Sequence, residues 1–344
     1  WFGKTIIHSD RRFTYDEAQQ IIETGQGDFA KELAELNRLA KILRENRKKE
    51  GSITFDKIEV KFILNKKGNP TGVKLKEAKD SNKLIEEFML LANKKVSEFV
   101  SLKIPQKPPY VYRVHDYPDP VKLEEFKRFI SQFGYNINVT NLKKLSDQFN
   151  TLFEEIKDKN EEAVIETLAI RTMAKAYYST NNIGHYGLGF RYYTHFTSPI
   201  RRYPDVLAHR LLFSYLNKDF NANKHQLEEM CKHASKQERL ATDAERDSIK
   251  FFQVKLMDDK VGEIYEGIIS GVAEFGIFVE LKENLCEGMI RIKDLTDDSY
   301  WYDEENYQLV GRNYGKTYQL GDNIIVKVAK VNLLKRQIDF IPMG

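Results

Sequence analysis

Helical periodicity down to about residue 256, five short strand patterns after it, and a change in the sign of charge at the same place predict an α+β protein. The expected plan is a mostly helical first unit, residues 1–256, followed by a five-stranded β-barrel of the OB-fold type, residues 257–344. The 344 residues suffice for two or three domains with cores of their own, and 41% hydrophobic with 31% charged residues is a soluble, globular composition. Formal net charge is only +3, but residues 257–344 carry a net of −6 and the remainder +9. A basic body suits a polyanion, because neutralising phosphates releases counterions; a lysine-rich solvated surface has the same composition. No run of about 18 apolar residues is present, so no membrane span is expected. Two cysteines, Cys231 and Cys286, supply neither a disulfide framework nor a cysteine zinc site, and a reducing, cytoplasmic setting is expected. The start, Trp1-Phe2-Gly3, has no Met and no signal pattern, and reads as cut from a longer protein.

In order, the patterns predict a strand at Thr5–His8 and helices at Tyr15–Glu23 and Asp28–Glu45, the second with Leu33, Leu36, Ala40 and Leu43 on one stripe. Arg44, Arg47, Lys48 and Lys49 gather at its C-terminal end, where cations complement the helix dipole. Ser52–Leu64, the turn at residues 66–70 and Gly72–Glu77 read as a hairpin. Helices are expected at Lys83–Leu102, Val121–Phe133, Thr140–Lys157, Glu161–Tyr178 and Pro204–Leu216. A long one follows over His225–Lys255, with Leu227, Ala234, Leu240, Ala244 and Ile249 inward. The barrel strands are expected at Ile264–Ser270, Gly276–Leu281, Gly288–Ile292, Asn323–Val331 and Gln337–Ile341. The acidic stretch Asp294–Glu305 between them reads as a solvated insertion.

The densest chemistry lies in residues 193–205, Tyr-Thr-His-Phe-Thr-Ser-Pro-Ile-Arg-Arg-Tyr-Pro-Asp. Aromatics, His195 and the adjacent Arg201 and Arg202 surround a rigid Ser-Pro at the mouth of a helix. A guanidinium is a planar donor fork that grips phosphate oxygens bidentately, so the stretch suits a phosphate polymer with stackable bases. In the tail, Phe275 and Phe278 stand three apart around Gly276, with Arg291 and Lys293 on the next strand pattern. OB barrels hold single strands on such rings, at roughly 1–3 kcal/mol per stacked base. Here either both rings face outward, or Phe278 is core and Phe275 alone is exposed.

The tail pieces Gly267-Ile-Ile-Ser-Gly-Val272, Glu274-Phe-Gly-Ile-Phe-Val279, Glu287-Gly-Met-Ile-Arg-Ile292 and Tyr318-Gln-Leu-Gly-Asp322 resemble the S1 RNA-binding domain, with Arg291 where that family often has His. The motif of residues 193–205 resembles the catalytic signature of the RNB family, the ribonuclease II and ribonuclease R exoribonucleases. So do Ile183-Gly-His-Tyr-Gly-Leu188, Ala244-Glu-Arg-Asp247, His8-Ser-Asp-Arg-Arg-Phe-Thr-Tyr15, Ile85–Asn93 and Tyr112–Asp116, and the wording is nearer the ribonuclease R branch.

The resemblance implies the C-terminal part of an RNB-type catalytic domain. It implies hydrolytic, processive 3′→5′ degradation of RNA to nucleoside 5′-monophosphates with Mg2+. RNA is then the partner, and a cytoplasmic monomer the expected form. It assigns Arg201 to the scissile phosphate and Glu245 to the neighbourhood of the RNA 3′ end. On the residues alone, Glu245 is equally a helix-surface partner of Arg246 or Lys250. The resemblance gives Tyr15 the end of the channel (a core ring is the alternative) and Glu86 the terminal ribose, whose 2′-OH marks RNA. It gives Phe55 a place closing a stack of bases. The family holds its metals on aspartates spaced Asp, five residues, Asp, one residue, Asp-Asp; no such spacing occurs here, and Asp258-Asp259 and Asp297-Asp298 lack the upstream partners. This chain by itself is therefore expected to bind RNA without efficient cleavage. The rivals are a ribonuclease II-type enzyme and a non-catalytic RNA-binding protein on the same scaffold.

Overall fold

The computed structural model describes residues 1–53, 59–142, 144–159, 161–304 and 306–343. Helix α1, Tyr15–Thr24, starts where Thr14 and Glu17 form a reciprocal capping box and stops at Gly25 in the left-handed conformation. Helix α2, Ala30–Lys49, ends in Arg47, Lys48 and Lys49. Strands β1, Glu59–Leu64, and β2, Pro70–Lys76, form an antiparallel hairpin. Helix α3, Asp80–Glu98, runs into a single π turn, Phe99–Lys103. Strand β3, Tyr112–Val114, pairs with β4, Tyr177–Ser179. Between them lie α4, Pro120–Ser131, capped by Asp119 with Pro at its first position, then α5, Leu145–Ile156, and α6, Glu162–Thr172. Helix α7, Tyr203–Leu216, and the 33-residue α8, Lys224–Leu256, complete the first unit.

The tail closes into a barrel of β5, Ile264–Ala273, β6, Gly276–Leu281, β7, Glu287–Arg291, β11, Asn323–Asn332, and β12, Gln337–Pro342, in the order β11-β12-β7-β6-β5. Strands β5 and β11 pair antiparallel and close it; β12 meets β7 in parallel. Register shifts at Ile269/Gly271 and Val328/Lys330 supply the bends closure needs. This is the expected five-stranded barrel, with every predicted barrel strand present.

Several expectations are corrected. Thr5–His8 is not a strand but exposed, irregular chain; apolar alternation makes a strand only where another strand offers its backbone, and among the described residues none does. The helix expected over Glu161–Tyr178 stops at Thr172, whose carbonyl accepts the Asp119 N–H, and Tyr177–Ser179 joins β3 instead. The helix expected from Thr140 begins at Leu145, because Asn138 Oδ1 takes the N–H and hydroxyl of Thr140 in a turn. The acidic stretch is the solvated insertion expected, but it also carries a strand that the sequence did not show. Strand β8, Tyr300–Asp303, pairs with β9, Gln308–Gly311, and β9 with β10, Thr317–Gln319. Asp298 accepts the N–H groups of Ser299, Asn313 and Tyr314, and Asp297 pairs with Lys316, so these acids tie loops together.

In α8, Leu227 is buried as expected, but Leu240, Ala244 and Ile249 are exposed. The apolar packing of the helix is confined to its two ends. Leu227 and Cys231 pack with Val111, Tyr178 and Leu207; Val254 and Leu256 enter the barrel core. Residues 239–249 stand in solvent on every face, the behaviour of a helix that bridges two bodies. Phe62 of the hairpin stacks on Phe252 at 5.5 Å, and Leu320 of the barrel lies in the core of α4, α5 and α6. Hairpin, strut and barrel are thus packed into one body.

Candidate functional site

Helix α3 is the ruler of the site. Its Ser81 N–H is accepted by Gln19 of α1, its Glu87 pairs with Arg47 and Arg44 of α2, and its Asn93 reaches the loop of residues 193–205. Ser81 to Asn93 spans about 18 Å at the helical rise. Glu87 and Arg47 are buried together, with Oε1–Nη2 at 2.5 Å.

Two side chains hold the loop. Asn93 Oδ1 accepts the N–H groups of Phe196 and Thr197 at 3.0 and 3.2 Å, and its amide donates to Tyr193 Oη. Asp205, fully buried, accepts the Ser198 N–H and Arg202 Nη2, both at 2.8 Å. The Arg201 and Arg202 N–H groups turn back onto the Ser198 carbonyl. The turn is over-determined, and it throws the Arg201 side chain outward into solvent. Arg202 differs from expectation. Its guanidinium turns inward onto Asp205 with Nε sealed from solvent, so it braces the turn instead of offering a fork to a strand.

His195 also faces the protein. Its Nδ1 shares a 2.8 Å hydrogen bond with Tyr178 Oη. Burial, then the cations Arg202 and Arg113, push its imidazole down to about 2, so it is neutral and not a phosphate-binding cation. Burial and the neighbouring His115 push His185 down to about 3. His115 is fixed as the Nε2–H tautomer, because Nδ1 accepts the Gly187 N–H while Nε2 donates to the Ala174 carbonyl. The guanidinium of Arg113 lies over the Tyr178 ring at 4.6 Å and bonds Glu238 of α8. A continuous chain of contacts, Glu238–Arg113–Tyr178–His195, therefore locks α8 to the loop.

Glu245 lies seven residues beyond Glu238 on α8. It is exposed and makes no ion pair among the described residues; Lys250 instead donates to the Glu287 carbonyl of the barrel. Tyr15 opens α1, is 46% exposed, and lies 5.6 Å below Lys76 Nζ. It borders a cavity of about 720 Å3 with Arg11, Arg12, Leu33, Leu84 and Ile85. Glu86 is exposed on the next turn of α3, while its neighbour Glu87 is the buried carboxylate. Phe55 lies outside the described residues. The structure thus brings His195, Arg201 and Arg202 to one turn, and sets Tyr15 and Glu86 at the other end of α3.

On the barrel, Phe278 shares the outward parity of β6 with Glu280, and Phe275 is 58% exposed. Their rings meet edge to face at 6.0 Å. Of the two arrangements open from sequence, the outward pair is the one formed. Arg291 stands across from Gly276 and bridges Asp339 at 3.0 Å.

Sequence reasoning missed Asn93, Arg113, Tyr178, Glu87 and Asp205. Only Asp205 carried a local signal, three residues after Arg202 on the same helical turn. Tyr178 reaches His195 across 17 positions of chain, and Glu87, Asn93 and Arg113 work across 40 to 125. Among the described residues, no group of three or more His, Cys, Asp or Glu side chains is arranged to hold a metal, so the residues present do not fit the Mg2+ set. No helix of the described residues is long and apolar enough to cross a membrane.

The family model described as RNB domain matches residues 1–218, and that described as S1 RNA binding domain matches residues 258–341. The ribonuclease R of Aquifex aeolicus is 38% identical over 98% of this chain and 48% of its own length. Ribonuclease R 1 of Lactococcus lactis is 37% identical over 98% and 42%. Mycoplasma genitalium RNase R, solved with ribose-methylated single-stranded RNA, superposes with a TM-score of 0.89 at 27% identity, over 96% of this chain and 53% of that one. The chain spans about half the length of the relatives it matches.

Proposed function

This chain belongs to the RNB family, and from that premise we propose that it carries the strand-gripping half of a 3′→5′ exoribonuclease, residues 1–256, joined to an RNA-binding S1 barrel, residues 257–344. One observation supports the reading above the others. Asn93 and Asp205 together fix three successive backbone N–H groups, and the turn so held presents one outward arginine beside neutral, half-buried histidines. A preorganised fixed charge is what a phosphodiester needs where negative charge grows in the transition state. Arg201 then grips the phosphate being cleaved, Glu245 and Glu86 contact the 3′-terminal nucleotide, and Tyr15 closes the far end of the channel. The ring pair Phe275–Phe278 stacks incoming bases. RNA is the substrate, nucleoside 5′-monophosphates the product, and the cytoplasm the setting of a processive monomer. Mg2+ supplies the activated water in such chemistry, and the described residues offer it no donor set, so this chain contributes grip and charge.

Two measurements test this. In an RNA-hydrolysing protein that carries this chain, Arg201→Ala should lower kcat by at least about a hundredfold and change RNA affinity little. Arg201→Lys should restore only part of kcat, because the fork is lost. Affinity falling in step with kcat would make Arg201 a plain strand contact. Second, the 344 residues alone, given labelled poly(A) and Mg2+, should bind it and release mononucleotides at a small fraction of a ribonuclease R rate. Full-rate release would sink the division of labour.

A further inference from the structure

Beside the Arg113–Tyr178 lock, α8 and β4 enclose a groove of about 510 Å3. One face of α8 lines it with Lys232, Lys236 and Arg239, spaced four and three residues apart, so their charges follow one line about 10 Å long. Lys236 and Arg239 make no ion pair among the described residues; Lys232 has only an exposed pairing with Glu229, of the kind worth little in water. The opposite wall is the half-buried Tyr177, and Leu240, 63% exposed, adds an apolar edge. Two acids also line the groove. Glu228 is consumed, since its carboxylate accepts the Thr180 N–H and hydroxyl and the Ser179 hydroxyl, which hold it below the usual carboxylate range despite burial. Asp243 sits at the far end, toward Glu245.

Exposed cations in a row, a ring beside them and an apolar edge are what a single-stranded nucleic acid uses, phosphates on the cations and a base on the ring. We infer that this groove is a second RNA-binding track, in which the backbone of a single strand lies along α8 on Lys232, Lys236 and Arg239 with a base against Tyr177. The track follows the strut toward Glu245 and lies apart from the ring pair of the barrel. The inference rests on the RNA-binding reading above and names a surface that reading does not use.

The test uses the whole 344-residue chain, fluorescein-labelled oligo(A) without Mg2+, and anisotropy titrations at several salt concentrations. Lys236→Ala/Arg239→Ala should flatten the slope of log K against log salt by about 0.7 per cation removed, the single-strand value. Both side chains are exposed, so thermal melts should match the parent. The control, Lys48→Ala/Lys49→Ala, removes the same charge from the exposed end of α2 and should leave the slope unchanged. Tyr177→Leu should weaken binding with the slope intact. If the parent binds and the α8 pair leaves the slope untouched, the track is refuted while the RNA reading stands. If both pairs flatten it equally, only net charge was at work and the track is again refuted. No binding by the parent would overturn the RNA reading itself, and this inference with it.

Discussion

Arg201 and Arg202 are identical in chemistry and adjacent in sequence, yet one is exposed and the other braces a buried carboxylate. The difference is made by Asp205, three residues on from Arg202, whose Oδ1 accepts the Arg202 guanidinium and the Ser198 N–H. His195 makes a related point through its pKa. Held near 2 in the folded chain against the usual 6.5, it takes a proton more readily when unfolded, so the stability it contributes is present above pH 6.5 and is lost as pH falls below it. Lowering pH from 6.5 to 5.5 should remove about 1 kcal/mol through this residue alone. Urea unfolding at the two pH values measures the whole drop, to which His185 adds a similar amount, and His195→Asn should remove roughly half of it; an unchanged drop would place the titration elsewhere. Glu87 gives a second residue-scale prediction. Buried against Arg47 and Arg44, it leaves uncompensated cations if removed, so Glu87→Ala should destabilise the chain by about 3–5 kcal/mol. Glu86→Ala, at the neighbouring exposed position, should leave the melting temperature unchanged.

At the scale of elements, the barrel depends on one backbone position. Gly276 opens β6 at φ 154°, and an added Cβ would run into the Ile290 carbonyl oxygen across the pair. Gly276→Ala should cost about 2–4 kcal/mol and displace Phe275 from its edge-to-face contact with Phe278. The comparison with Phe275→Ala separates fold from binding, since the latter should weaken oligo(A) binding with its melt and salt slope preserved. Arg291→Ala should flatten the salt slope by less than a free cation would, because Asp339 already takes part of its charge. Equal flattening for Arg291 and for an α8 cation would show that the Asp339 bridge opens when RNA arrives.

Across the whole molecule, the barrel is seated on the helical unit at defined points. Gly321, at φ 93°, lies where a Cβ would strike Val164 of α6, and Tyr307 sets its ring edge-on to Phe129 at 5.6 Å. Gly321→Ala should unseat the barrel, seen as earlier proteolysis in the stretch 257–263 and a lower melting temperature. A parent-like cleavage pattern would show that α8 alone holds the two bodies together. The sequence by itself determined the α+β plan, five barrel strands, the family and the loop that bears Arg201, because each of these is written in local patterns: period two, period 3.6, turn residues, and a motif of contiguous residues. Tertiary structure alone decided that Thr5–His8 is no strand, that the middle of α8 is solvated on all sides, that Arg202 and His195 face inward, and that Asn93, Arg113 and Glu87 hold the site. Asn93, Arg113 and Glu87 act on partners 40 to 125 residues away, His195 turns to Tyr178 seventeen residues back, and Arg202 turns to Asp205 only three residues on; in each case a side chain's direction is fixed by whichever group satisfies its charge or hydrogen bond at the least desolvation cost, which local pattern does not show.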